Sequence, residues 1–186
     1  MKIKSAALAI WIVFLYIGTA LASDLGVTAE MLHADLGRTV REGVHDFVGR
    51  PPKIETLRTT VDKSGARRYI IGVGDFVTVY GDVDSGRGFI KNATVELQIP
   101  AAPGSVQLDR SAHLYGFFST MIYTRFADSK EEAQAMKGFF VETLTSNRAE
   151  EIEAARSRRF KRIDVTIDLY LKEGDLLFKT KITPSK

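Results

Sequence analysis

At 186 residues, 45% hydrophobic and 26% charged, the chain has the makeup of an ordinary globular domain, long enough to enclose a core. It contains no cysteine, which excludes disulfides, thiolate nucleophiles, zinc–thiolate sites and a lipid-modified cysteine. The formal charge of +3 excludes little by itself, because part of it sits in a segment that the chain is expected to lose.

That segment is residues 1–22. Lys2 and Lys4 precede an apolar run over residues 6–17, and Ala20-Leu21-Ala22 offers the small-x-small pattern that signal peptidase accepts. We read a secretory signal followed by a single domain over residues 23–186. The alternative is an uncleaved anchor, since residues 5–22 approach the minimum of about 17 apolar residues that cross a bilayer. Cleavage removes Lys2 and Lys4 and no acid, leaving 24 basic residues against 23 acidic and a net charge of +1. A chain so close to neutrality lacks the broad positive surface that binding a nucleic-acid backbone requires. An exported domain without disulfides fits a bacterial periplasm better than an animal extracellular space. Asn92-Ala93-Thr94 matches a glycosylation triplet, which matters only in a eukaryotic secretory route.

Thr28 is placed to cap a helix running to about residue 48. Leu32, Leu36, Val40, Val44, Phe47 and Val48 share one arc of it, and charges of both signs occupy the other, so packing on the domain's own sheet is favoured over a membrane surface. Gly49 and Pro51-Pro52 end it. Residues 54–62, 67–73, 76–83 and 89–99 then read as short strands joined by Gly-containing turns, an antiparallel meander. In the last of these Ala93, Val95, Leu97 and Ile99 fall on one face, with Asn92, Thr94, Glu96 and Gln98 on the other. Residues 99–104, with two prolines and a glycine, form a loop suited to a hinge.

Residues 114–126 are apolar and aromatic on nearly every side, so periodicity does not separate strand from helix; their Tyr, Phe, Thr and Ile content favours a strand covered on both faces. Asp128-Ser129-Lys130-Glu131 resembles a capping box opening a helix with Ala133, Met136, Phe140 and Leu144 on one side. A second helix is expected over residues 149–160, its early glutamates and late arginines matching the helix dipole.

Residues 162–182 carry the clearest pattern. Ile163, Val165, Ile167, Leu169 and Leu171 alternate with Asp164, Thr166, Asp168 and Tyr170. A two-residue turn at Glu173-Gly174 sets Leu171 opposite Leu176, Leu169 opposite Phe178 and Val165 opposite Ile182, and places Asp168 against Lys179 on the outer face. The fold class expected is therefore α+β: an antiparallel sheet of about seven strands, packed by the first helix and by a helical pair inserted before the closing hairpin.

No stretch rises to a chemical signature. Asp75, Asp82, Asp84 and Gly86 depart from the spacing of a calcium loop and read as turn residues, and Gly72-Val73-Gly74 lacks the third glycine of a dinucleotide loop. His33 lies on the apolar arc of the first helix, His45 on its polar arc beside Asp46, and His113 precedes the aromatic stretch. No histidine pair has the spacing of a metal-binding helix, and no serine sits in a nucleophile elbow, so neither cofactor nor metal is implied. Two groups remain as candidate ligand contacts. Arg156 and Arg159 share one side of the expected second helix and would grip an anion, whereas Tyr115, Phe117 and Phe118, with His113 nearby, would line an apolar cavity.

The function expected is that of an exported, non-catalytic binding or assembly protein of the cell envelope, holding an apolar or anionic small ligand or an envelope protein partner. It touches membrane only if residues 1–22 are kept. A small periplasmic enzyme with a histidine acid/base, or a membrane-anchored subunit of an envelope complex, stands as the alternative.

Overall fold

The computed structural model describes residues 24–42, 51–100, 105–146, 155–172 and 174–185. The expected signal segment, His45, the end of the first helix arc, the core of the 99–104 loop and most of the expected 149–160 helix lie outside them.

Among the described residues there are three helices and seven strands: α1 (Ala29–Glu42), β1 (Arg58–Val61), β2 (Arg67–Val73), β3 (Val77–Val83), β4 (Ala93–Ile99), α2 (Ser105–Thr124), α3 (Lys130–Ser146), β5 (Arg156–Arg159), β6 (Ile163–Lys172) and β7 (Asp175–Pro184). The strands form one antiparallel sheet in the order β1-β2-β3-β4-β7-β6-β5, with β1 and β5 at its rims. β7 closes against β4, so the stretch from α2 to β6 is an insertion between two neighbouring strands. The mixed α+β class, the N-terminal helix and two later helices before the last hairpin are present, although one of those two is Ser105–Thr124 and not the helix expected over residues 149–160.

The β6–β7 hairpin has the register that its alternation requires: Leu171 faces Leu176, Leu169 faces Phe178, Val165 faces Ile182 and Asp168 faces Lys179. Ile163, Val165, Ile167 and Leu169 are buried. Withdrawing each such side chain from water contributes roughly 1.5–3 kcal/mol, and a slip by one residue would forfeit the whole row. Gly174 takes φ 90° beside the paired Lys172 and Asp175, a conformation suited to a tight hairpin.

Thr28 caps α1 by accepting the Met31 amide at 3.2 Å, and Leu32, Leu36 and Val40 are buried beneath the helix. α3 is capped one residue later than the sequence pattern suggests. Ser129 accepts the Glu132 amide at 3.1 Å, while the Glu132 carboxylate accepts the backbone amides of Asp128 at 2.7 Å and Lys161 at 2.9 Å. Those two amides hold the Glu132 carboxyl below its ordinary pKa.

Two expectations fail, and they exchange places. Residues 114–126 belong mostly to α2, not to a strand. Ser111, Leu114, Tyr115, Phe118, Ser119, Ile122 and Tyr123 are buried at alternating steps of three and one, the signature of a single helical face. That face lies over β3 and β4, and α3 packs beside it. Conversely, Arg156–Arg159 is strand, not helix. β5 pairs with β6 from Asp164 to Ile167, fastened by Ser157 to Thr166 at 2.9 Å and Arg159 to Asp164 at 3.0 Å. Phe160 then turns under the helices to meet Phe139, their ring centroids 6.4 Å apart. The strand count survives because one strand is lost and another gained.

The strand expected over 89–99 is regular only from Ala93. Residues 89 and 90 turn aside to pair with the start of the described chain: the Leu25 amide donates to the Ile90 carbonyl and the Ile90 amide to the Val27 carbonyl, each at 2.8 Å. Leu25 and Val27 are buried in consequence, and Arg87 pairs with Asp24 at 2.5 Å.

Candidate functional site

α2 lies over β3 and β4, and α1 and α3 share the apolar core beneath it, so the two faces of the sheet differ in chemistry. The covered face is filled by rings. The Tyr115 ring centroid is 5.8 Å from that of Phe140 and 6.0 Å from that of Phe178, Tyr123 is 5.8 Å from Phe140, and Phe118 meets Phe117 edge-on at 5.2 Å. The Tyr115 hydroxyl shares a 2.8 Å hydrogen bond with Thr180, which has no solvent exposure. Burial pushes the Tyr115 phenol well above its ordinary pKa, so it stays neutral and serves packing.

The open face carries a polar relay across four strands. The Tyr80 hydroxyl donates to the Glu96 carboxylate at 2.8 Å, the Lys179 ammonium lies 3.2 Å from the same carboxylate, and Lys179 donates to the Tyr170 hydroxyl at 2.7 Å. Burial and the neighbouring carboxylate push Tyr80 up to about 12. Partial burial favours a neutral Lys179 amine, but its hydrogen bonds with Tyr170 and Glu96 outweigh that and raise it. Tyr80 and Lys179 are thus held in their ordinary charge states at neutral pH, which suits a structural clamp and not an acid or base.

Each residue singled out from sequence has a definite place. Tyr115 and Phe118 are fully buried and Phe117 is half-buried, all within the packed ring cluster. His113 is exposed on α2, one turn before Phe117, and is engaged in an interaction of its own. Arg156 is half-buried opposite Ile167 and likewise engaged, while Arg159 is exposed opposite Asp164. Three residues apart on a strand, Arg156 and Arg159 project from opposite faces, so the shared grip expected of a helix is not formed. His33 is half-buried, with Nε2 at 2.9 Å from the Glu55 carbonyl, and ties α1 to the segment before β1.

The acidic turn residues are engaged locally. Asp84 accepts the amides of Gly86 at 2.8 Å and Arg87 at 3.0 Å, and Asp82 pairs with Arg68 at 3.1 Å. Among the described residues no group of three or more His, Asp or Glu side chains is placed to hold a metal ion. No helix among them is long and apolar enough to cross a membrane.

One concavity was not signalled by any motif. A cleft of about 320 Å³ lies at the end of the sheet where β2 turns into β3, lined by Pro51, Lys53, Glu55, Gly74, Asp75, Arg110, Ser111 and Leu114. Three separate stretches build it. The segment before β1 is laid alongside the end of β2 by hydrogen bonds from the Glu55 amide to the Gly72 carbonyl and from the Gly74 amide to the Lys53 carbonyl. The β2–β3 turn contributes Gly74, at φ 66°, and Asp75. The first turns of α2 contribute Arg110 and Ser111 over a Leu114 floor. Lys53, Glu55 and Asp75 are exposed, Arg110 is half-buried and Ser111 is buried. Only its assembly in space reveals the cleft, since its charged residues span more than 50 positions of the sequence.

A smaller cleft of about 190 Å³ on the open face shares Asp75 and includes Thr78, Glu96, Gln98 and Asp175. Two of its three acids are already committed, Glu96 to the relay and Asp175 to Gln98 at 2.6 Å. Comparison of the chain with family models, with curated proteins and with solved structures gives no match.

Proposed function

We propose that the protein is an exported, non-catalytic binding protein of the cell envelope, and that it holds a charged small ligand or partner group in the cleft between the segment before β1, the β2–β3 turn and α2. The observation that carries this reading is the meeting of two cations and two carboxylates on the walls of one concavity from three unconnected stretches. The solid ring cluster around Tyr115 argues for a polar occupant at the surface over an apolar one inside. Export is supported by the basic start, apolar run and Ala20-Leu21-Ala22 of the sequence.

The test starts from the protein expressed in its own host. The envelope fraction is expected to contain a chain beginning at Ser23, and intact-mass measurement under native conditions is expected to show a bound species that is lost from a Lys53→Glu variant. A chain retained in the cytosol with residues 1–22 intact would overturn the export reading. A protein that emerges empty, with no co-purifying partner, would overturn the binding reading.

A further inference from the structure

Lys53 and Asp75 share the cleft of about 320 Å³ with Glu55 and Arg110, yet neither forms an ion pair with the other or with any other described residue. Opposite charges facing one concavity without neutralising each other leave both signs available to a third party. A simple anion entering there would meet Lys53 and Arg110 but also the carboxylates of Glu55 and Asp75, and a simple cation would meet the reverse. A molecule carrying both signs satisfies both sets at once. The volume sits at the low end of the roughly 300–1,000 Å³ typical of small-molecule sites, which suits a short polar molecule and not a lipid chain or a folded segment.

We infer that the cleft binds a small zwitterion, a molecule with a carboxylate and an ammonium a few bonds apart, of the class of free amino acids and dipeptides. The inference rests on the binding reading above and narrows it to a ligand class. Lys53 takes the carboxylate and Asp75 the ammonium; Arg110, already engaged in an interaction of its own, and Glu55 flank them, and Ser111, 3% exposed, adds a hydroxyl to the wall. Pro51 and Leu114 supply apolar surface for the short side chains between the charged ends. Asp75 is the freer acceptor of the two, because Glu55 also lies 3.7 Å from Arg58.

Titration calorimetry on the mature protein tests this with three probes: alanyl-alanine, its N-acetyl derivative and its C-terminal amide. The free dipeptide is expected to bind, and blocking either end is expected to weaken binding about tenfold or more, the ordinary effect of losing one charge-assisted contact. Lys53→Met is expected to abolish the penalty for amidation, and Asp75→Asn the penalty for acetylation. Both side chains are exposed, so neither change threatens the fold. Acetylated dipeptide binding as tightly as the free form overturns the inference in favour of an anion site, and no heat from any probe at millimolar concentration overturns it outright. A native ligand that co-purifies and survives both substitutions would leave the binding reading standing and remove this inference alone.

Discussion

Gly81→Ala is the substitution with the most sharply defined cost. A Cβ at residue 81 would lie 2.0 Å from the backbone oxygen of Asn92 and 2.9 Å from its carbonyl carbon. Even the 3.0 Å limit that real Cβ contacts respect requires a withdrawal of about 1 Å. Residue 92 is not free to withdraw. Its side chain exchanges hydrogen bonds with Asp82, Nδ2 donating to the carboxylate at 2.8 Å and Oδ1 accepting the Asp82 amide at 3.2 Å. Its backbone oxygen accepts the hydroxyl of Tyr69, a residue with no solvent exposure, at 3.2 Å. Overpacking of this kind costs about 1–3 kcal/mol, and orphaning the Tyr69 hydroxyl adds about 1–3 kcal/mol. The total, roughly 2–6 kcal/mol, is a large fraction of the roughly 5–15 kcal/mol that holds a domain together. With a denaturant slope of about 2 kcal/mol/M, the urea midpoint should fall by about 1–3 M. Gly26→Ala is the control: it is strained by φ 71° but meets nothing within 4 Å, so it should cost only about 1 kcal/mol. Equal losses at the two positions would refute the steric argument. Tyr69→Phe combined with Gly81→Ala should cost about 1 kcal/mol less than the two separately, because the clash has already broken the bond that the first change removes.

Tyr115→Phe strands the buried Thr180 hydroxyl and should cost about 1–3 kcal/mol by chemical denaturation, with much of it restored by adding Thr180→Val. The Tyr80 phenol, raised by burial and by Glu96, should ionise near pH 12 by ultraviolet absorbance and move back toward 10 in Glu96→Gln. Because the folded state holds that proton more tightly, the contribution of Tyr80 to stability is complete below pH 10 and is lost as pH rises from 10 through about 12. Glu132 is shifted the other way by the amides of Asp128 and Lys161, so its contribution is present above its ordinary pKa of 4.5 and fades as pH falls below it. Glu132→Ala should accordingly cost about 1 kcal/mol at pH 7 and little at pH 3, measured by thermal or urea unfolding.

The hairpin was legible down to individual pairs because period-two alternation and a short turn each determine register, and here they agree: Leu169 opposite Phe178 follows from either. α1 was legible for a similar reason, a hydroxyl cap followed by an apolar arc. α2 was misread although its period is present. The buried steps begin at Ser111, outside the apolar window, and Phe117 and Met121 are half-buried beside that face, so a one-sided pattern looks apolar all round. β5 was misread because acids followed by arginines complement a helix dipole, and cross-strand pairing of Arg159 with Asp164 accounts for part of the same sequence equally well. The turn after Val83 was read correctly, but the departure of residues 89 and 90 toward Leu25 and Val27 depends on a partner more than 60 residues away, which local pattern does not encode. The same holds for the cleft, where Lys53, Asp75 and Arg110 acquire meaning only once three segments meet.

The rims of the sheet bear on how the molecule behaves in a crowd. β5 has three arginines in four residues and no acid, and β1 opens with Arg58. Two copies drifting together flank to flank would set guanidinium against guanidinium before any backbone amide found a partner, so growth into ribbons is opposed from the outset. That protection is coulombic and therefore borrowed from the buffer. At about 1 M salt the screening length shrinks to about 3 Å, and concentrated stocks kept there should be the first to gel.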